Sequence, residues 1–245
     1  MRIASIVGAR PQFVKLAPIV SAVQSHNSTS PTGIEHIIIH TGQHYDHQMN
    51  AVLYAELGIP PPSFHLGVGS SSHGRQTGEM MERIERVLLD VKPDCVLVYG
   101  DTNSTLAGAV AAAKLHFPIA HIEAGLRSNN RRMPEEINRI LTDHCSDILF
   151  CPTLNSVRNL ELEGFARYVN LIDSDDENCE NRLKSDIPFP LVVAVGDIML
   201  DSLQAAIGIA ERQSKILDLL SARPGRYLLL TLHRSENTDN NAVMV

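Results

Sequence analysis

The stretch HIEAGLRSNNRRMPEEINR, residues 121–139, sets three carboxylates, Glu123, Glu135 and Glu136, among His121, Arg127, Arg131, Arg132 and Arg139. Carboxylates can take and return protons, and cations beside them can hold an anionic substrate. A salt-bridged surface is the alternative. Pro134 suits the first position of a helix, and Glu135 and Glu136 then lie in a first turn whose dipole favours negative charge. Glu135, Asn138, Arg139 and Thr142 follow at i, i+3, i+4 and i+7, one polar stripe of that helix. Ile137, Ile140, Leu141 and His144 fall elsewhere, so core packing does not demand the stripe. Read only as a helical ion pair, Glu135 and Arg139 contribute a few tenths of a kcal/mol.

Four more clusters share one topological position. Apolar runs end at Arg10 and Lys15, at Gln43 and His44, at Asp101 with Thr102 to Ser104, and at His233, Arg234 and Glu236. The run PIAHIEA ends at Glu123, with Arg127 after it. In parallel α/β sheets, ligands bind beyond the carboxyl ends of the strands. Five recurrences at that edge point to one crevice.

The elements that must position these residues alternate. RIASIV, GIEHIIIHT, DCVLVYG, PIAHIEA and DILFCP read as strands; PQFVKLAPIVSAVQSH, MNAVLYAELG, residues 78–93, STLAGAVAAAKLH and a segment from Pro134 read as helices. Residues 67–78, GVGSSSHGRQTG, read as a loop. Strands separated by helices imply a Rossmann-like α/β fold, a parallel sheet with helices on both faces. Three segments follow: an N-terminal domain over 1–170, an acidic insertion or linker over 171–190, and the beginning of an incomplete second domain over 191–245, containing a strand-helix pair and the strand-like run RYLLLTLHRSEN.

Composition narrows the class. The 245 residues are 44% hydrophobic with net charge −7, a globular balance that argues against nucleic acid. No run approaches ~18 apolar residues, so no membrane span or secretory signal is expected, and the location is read as cytoplasmic. Cys95, Cys145, Cys151 and Cys179 fit no zinc spacing and read as reduced, mostly buried thiols. His36, His40, His44 and His47 have helix-face spacing but lie across a strand and turn, so no metal site is assigned. P-loop, G-x-G-x-x-G and G-x-S-x-G patterns are absent.

Taken together, GARPQFVKLAP, TGQHYDHQM, YGDTNSTLAGA, HIEAGLRS, RMPEEINR and LTLHRSEN, in that order, resemble the non-hydrolysing UDP-N-acetylglucosamine 2-epimerases over residues 1–170 and 191–237. The resemblance implies a two-domain glycosyltransferase-B arrangement with its site in the cleft, no cofactor, a UDP-sugar substrate and a homodimer. It implies inversion at C2 by elimination and re-addition of UDP, with Asp101, Glu123 and Glu135 in acid/base roles and His233 beside them. Arg10, Lys15 and Arg139 match positions near the substrate and phosphates; His44, Arg127 and Asn138 complete the expected binding set. GARPQF and RSNNRRMPEEINR lean toward the branch acting on UDP-2,3-diacetamido-2,3-dideoxyglucuronate, whose carboxylate Arg131 or Arg132 could meet. The family's second domain, with a Ser-Gly-Gly diphosphate loop, extends beyond this sequence, which is therefore expected to be C-terminally truncated. A catalytically inactive remnant and a glycosyltransferase on the same architecture are the competing readings.

Overall fold

A computed structural model describes residues 1–43, 47–170 and 190–231; of residues 47–51, 168 and 170 it describes the backbone only. Among the described residues, eight strands form one parallel sheet in the order β3-β2-β1-β4-β5-β6-β8-β7. The inner strands are β1 (Arg2–Val7), β2 (Glu35–His40), β4 (Cys95–Tyr99), β5 (Ile119–Ile122), β6 (Ile148–Cys151) and β8 (Leu191–Ala194). β3 (Phe64–His65) and β7 (Val169–Asn170) are two-residue edges. Every pairing is parallel, and the strand order reverses between β1 and β4, where a ligand crevice is expected in such sheets.

Strands buried on both faces need apolar residues throughout. Ile6, Val96 and Val98 point to one core with Met80, Ile84 and Leu88 of α3 (His73–Val91) and Ala107 and Ala111 of α4 (Asn103–Lys114). Val7, Leu97, Tyr99 and Ile122 point to the other, against Phe13, Leu16 and Val20 of α1 (Arg10–Thr29). The remaining helices of this half are α2 (His47–Glu56), α5 (Pro134–Cys145) and α6 (Leu154–Leu160).

Three expectations meet a different structure. Helix α3 begins at His73 and not near residue 78, shortening the loop. Gln76 secures that extra turn by donating to the Gly69 carbonyl at 2.7 Å. The stretch from 191 was expected to open a second domain, yet β8 lies inside the sheet, pairing with β6 and β7. The first compact unit therefore runs through Leu203. Residues 171–189 and the loop after LTL lie outside the described residues.

The second unit is Gln204–Val245. It holds most of α7 (Ile198–Gln213) and all of α8 (Ile216–Leu219). The expected strand at 226 is not one over its described part: residues 226–231 carry no strand, and Leu228, Leu229 and Leu230 are exposed. A strand needs a neighbour to bond, and this unit has none among its described residues.

Candidate active site

Gly100, directly after β4, sits at the centre of the charged residues. Its φ of +63° suits glycine, and a Cβ there would lie 3.0 Å from Lys15 Nζ and 3.1 Å from Glu123 Oε2. Lys15, on α1, and Glu123, just beyond β5, form an ion pair with side chains 9% and 18% exposed. Glu123 itself has φ +74°, a left-handed backbone that costs a non-glycine residue about 1 kcal/mol or more and tends to persist at functional sites. Asp101 follows Gly100, and its Oδ2 accepts from Arg139 Nη1 at 2.5 Å. Two sequence-predicted carboxylates thus flank one glycine, each on its own cation.

Helix α5 reaches this point with its polar side. Glu136, Asn138, Thr142 and Asp143 are buried, while Leu141 is exposed. Asn138 donates to the Asp101 carbonyl at 2.9 Å and to Asn103 Oδ1 at 3.2 Å. Arg139 binds Glu136 at 3.0 Å besides Asp101. The i, i+3 partner therefore replaces the expected i, i+4 pair with Glu135, which is exposed in the first turn. Glu136 also accepts from the Ser128 and Asn129 amides at 2.9 and 2.8 Å. Burial alone would raise its carboxyl, but the Ser128 amide, Arg139 and the Asn129 amide outweigh it and hold the group below the usual glutamate value.

A second ionic cluster lies beneath. His121, on β5, has Nδ1 2.7 Å from Asp143 Oδ1 and Nε2 2.8 Å from the Gly100 carbonyl oxygen. Asp143 Oδ2 receives Arg127 Nη1 at 2.7 Å and the Gly125 amide at 3.1 Å. Arg127 donates its Nε and Nη2 to the two oxygens of Glu163 at 2.7 and 2.6 Å. Burial works against the Arg127 charge, yet these carboxylates hold its guanidinium above the ordinary value. Arg127 was expected to bind substrate; its side chain is 4% exposed and engaged with protein. Asn138 likewise spends its amide on protein atoms.

Helix N-termini would ordinarily attract a diphosphate. Here glutamines occupy two of them. Gln12 Oε1 accepts from the Gly8 and Ala9 amides at 2.8 and 3.0 Å. Gln43 Oε1 accepts from the Ser104 amide at 3.1 Å and its hydroxyl at 2.7 Å. Gly8 leaves no room for change, since a Cβ would come within 1.9 Å of Thr41 Oγ1. Arg10 is exposed at the first turn of α1.

Glu123 also borders an open cavity of about 280 Å³ walled by Leu97, Ile122, Phe150 and Ile198, with Asp197 and Asp201 at its rim. Among the described residues no three His, Cys, Asp or Glu side chains come together to hold a metal ion, and no helix is long and apolar enough to cross a membrane. His44 and His233 lie outside the described residues, as does the side chain of His47. Cys95 and Cys151 are poor nucleophiles: burial, with help from Asp147 and Asp143 respectively, pushes their thiols up to about 11 and about 12.

Glu136, His121 and Asp143 were the residues the sequence reading did not select. Asp143 had a signal, standing four residues after Arg139 on the same helix; His121, alone in an apolar strand, had only its polarity.

Known proteins share this architecture. A family model described as UDP-N-acetylglucosamine 2-epimerase matches residues 26–245. A UDP-N-acetylglucosamine 2-epimerase homolog of Methanococcus maripaludis is 51% identical over 240 residues. The UDP-2,3-diacetamido-2,3-dideoxy-D-glucuronate 2-epimerase of Pseudomonas aeruginosa is 49% identical over the same length. In both comparisons the match takes in 98% of this chain, which spans 59% of the relative's length. The solved structure of Methanocaldococcus jannaschii UDP-GlcNAc 2-epimerase with UDP-GlcNAc and UDP superposes with TM-score 0.79 at 43% identity, over 98% of this chain and 59% of that one. With a parallel α/β sheet, two ion-paired carboxylates at the C-terminal edge of its central strands and these likenesses, the chain belongs to the UDP-N-acetylglucosamine 2-epimerase family.

Proposed function

We propose that the protein is an isomerase that inverts C2 of UDP-N-acetylglucosamine to give UDP-N-acetylmannosamine. The observation that carries this reading is the pair of carboxylates just beyond neighbouring strands, Glu123 beside Gly100 and Asp101 directly after it in the chain, each with a cation in contact. The C2 proton is far from acidic. A carboxylate takes it as the C1–O bond breaks and UDP departs, leaving 2-acetamidoglucal. UDP then adds back to C1 while a proton reaches C2 from the opposite face. The net change is redox-neutral and needs no cofactor. Lys15 and Arg139 serve twice: they hold the carboxylates in place, and they present positive charge to the departing diphosphate. Glu135, on the exposed first turn of α5, is the third proton-handling candidate, with His233 from the C-terminal segment and Arg10 and His44 toward the nucleotide. Because glutamines cap the α1 and α4 amides, side chains carry the diphosphate contacts in this half. A cytoplasmic homodimer is part of this reading; sedimentation at working concentration tests the assembly.

Incubation with UDP-N-acetylglucosamine in D2O tests the reaction. Formation of UDP-N-acetylmannosamine carrying deuterium at C2 is expected. Product without deuterium, or free N-acetylmannosamine, contradicts the mechanism. Arg131 and Arg132, both exposed beside the α5 N-terminus, and the likeness to the Pseudomonas protein favour a second reading, in which the sugar bears a carboxylate. Comparing kcat/KM for the two UDP-sugars, and the loss on Arg131→Ala and Arg132→Ala with each, separates the two.

A further inference from the structure

We propose that His121 is a positioning residue that fixes the Gly100–Asp101 peptide, so that α5 grips Asp101 from three sides. Its catalytic meaning rests on the epimerase reading above; its structural content does not.

A carbonyl oxygen only accepts, so the 2.8 Å contact to Gly100 O requires a proton on His121 Nε2. On the other side of the ring, Asp143 already accepts from Arg127 and Gly125 through Oδ2. Its Oδ1 stands 2.7 Å from Nδ1, so the ring is held at both ends. A flipped ring loses both contacts, and a ring without a proton on Nε2 loses the bond to the Gly100 carbonyl. His121 and Asp143 are both 0% exposed, so water does not substitute for either partner.

The Gly100 peptide is held elsewhere too. Its amide donates to the Ile122 carbonyl at 3.0 Å, and its Cα lies against the Lys15–Glu123 pair. Asp101 is then gripped by one helix. Arg139 holds its carboxylate at 2.5 Å, Asn138 its carbonyl at 2.9 Å, and Asp143 the carbonyl before it through His121. Arg139 and Asp143 are one helical turn apart, so a small shift of α5 moves all three contacts together. The groups facing the imidazole are Asp143 on α5, with Arg127 behind it, Glu163 beyond Arg127, and Cys151 on β6 within the field of Asp143.

Native-state amide exchange on the chain, wild type against His121→Gln, tests the structural link. The Gly100 amide should exchange at least ~10-fold faster in the variant while the β1 amides keep their wild-type rates. Equal acceleration at both sites, or none at Gly100, overturns the proposal. Should the variant not fold, nitrogen-15 spectra of the wild-type imidazole decide: a protonated, slowly exchanging Nε2 is expected, and an unprotonated Nε2 overturns it. Turnover of the UDP-sugar adds the functional arm. His121→Gln should lower kcat by ~10- to 100-fold with KM within about twofold, as a misplaced acid/base group does. In an Asp101→Asn background the same change should cost less than about twofold, because its effect runs through Asp101. Full, multiplicative losses in that background overturn the role. Absence of turnover by the wild type counts against the epimerase reading and leaves the exchange and nitrogen-15 results to judge this one.

Discussion

Two ionic clusters lie within a few residues of each other and use the same chemistry in opposite ways. The sealed one joins His121, Asp143, Arg127 and Glu163; three of its four side chains are at most 4% exposed, and every charge meets its opposite. The open one joins Lys15 to Glu123 and Arg139 to Asp101, with the carboxylates 18% and 31% exposed and Glu123 on the wall of a cavity. Burying charge is costly and is offset only when each lone pair and proton is met. The sealed cluster meets that condition and can act as scaffold. The open carboxylates keep oxygen valence for something that arrives. Acidic and basic residues in one motif therefore divide by what else their atoms touch.

The largest expected effect breaks the sealed cluster. Asp143→Ala removes the carboxylate from His121 and leaves Arg127 with Glu163 alone, and should lower the unfolding free energy by about 3–5 kcal/mol in urea titration. The same measurement on Glu123→Gln should show a smaller loss, about 1–2 kcal/mol, since the amide oxygen of the glutamine still accepts from Lys15. Equal losses for the two would erase the distinction.

Glu136 stands between the clusters, and its replacement by Gln should cost about 1–3 kcal/mol through the orphaned Ser128 and Asn129 amides and Arg139. Its folded-state carboxyl is depressed, so it stabilises fully above the ordinary value of 4.5, and that contribution is lost as pH falls through the folded-state value. Wild-type stability should therefore drop more steeply than that of Glu136→Gln when acidified below pH 4.5.

Gly100→Ala places a Cβ at positive φ against Lys15 and Glu123, and should cost about 1–2 kcal/mol while displacing the pair. Smallest of all is the expected reactivity of Cys151, whose thiol reports on the sealed side. Located by mass spectrometry, an alkylating label at neutral pH should be absent from Cys151 in the native chain and appear only on unfolding.

Much of this was legible before the structure. The strand runs RIASIV, EHIIIH, CVLVY and ILFC are apolar on both faces, which only a covered parallel sheet explains, and Asp101 and Glu123 could be placed at its edge because each directly follows such a run. The helix from Pro134 was also legible, but its burial was not. Its apolar residues suggested an inward face, whereas Asn138, Thr142 and Asp143 turn inward, against the Ala- and Gly-rich α4 and the loop carrying Asp101. Periodicity reports amphipathicity and cannot say that a core is polar. Glu135 and Arg127 came from the resemblance; the structure finds Glu135 exposed and Arg127 buried among protein partners. The strand at 191 was legible but its place in the first sheet was not, because Leu191 pairs with Ile148, far earlier in the chain, and no local pattern encodes such a pairing. The described part of the run at 226 shows the converse, a strand-like sequence with no strand to bond among the described residues.

The central claim is that the open carboxylates move a sugar proton while the sealed ones hold the fold. Exchange of the C2 proton of UDP-N-acetylglucosamine with solvent deuterium, followed by NMR in wild type, Asp101→Asn and Glu123→Gln at matched folded fraction, tests it most directly. Exchange in the wild type and a fall of at least ~100-fold in both variants, with unfolding midpoints little changed, is the predicted result. Wild-type exchange that persists undiminished in either variant contradicts it.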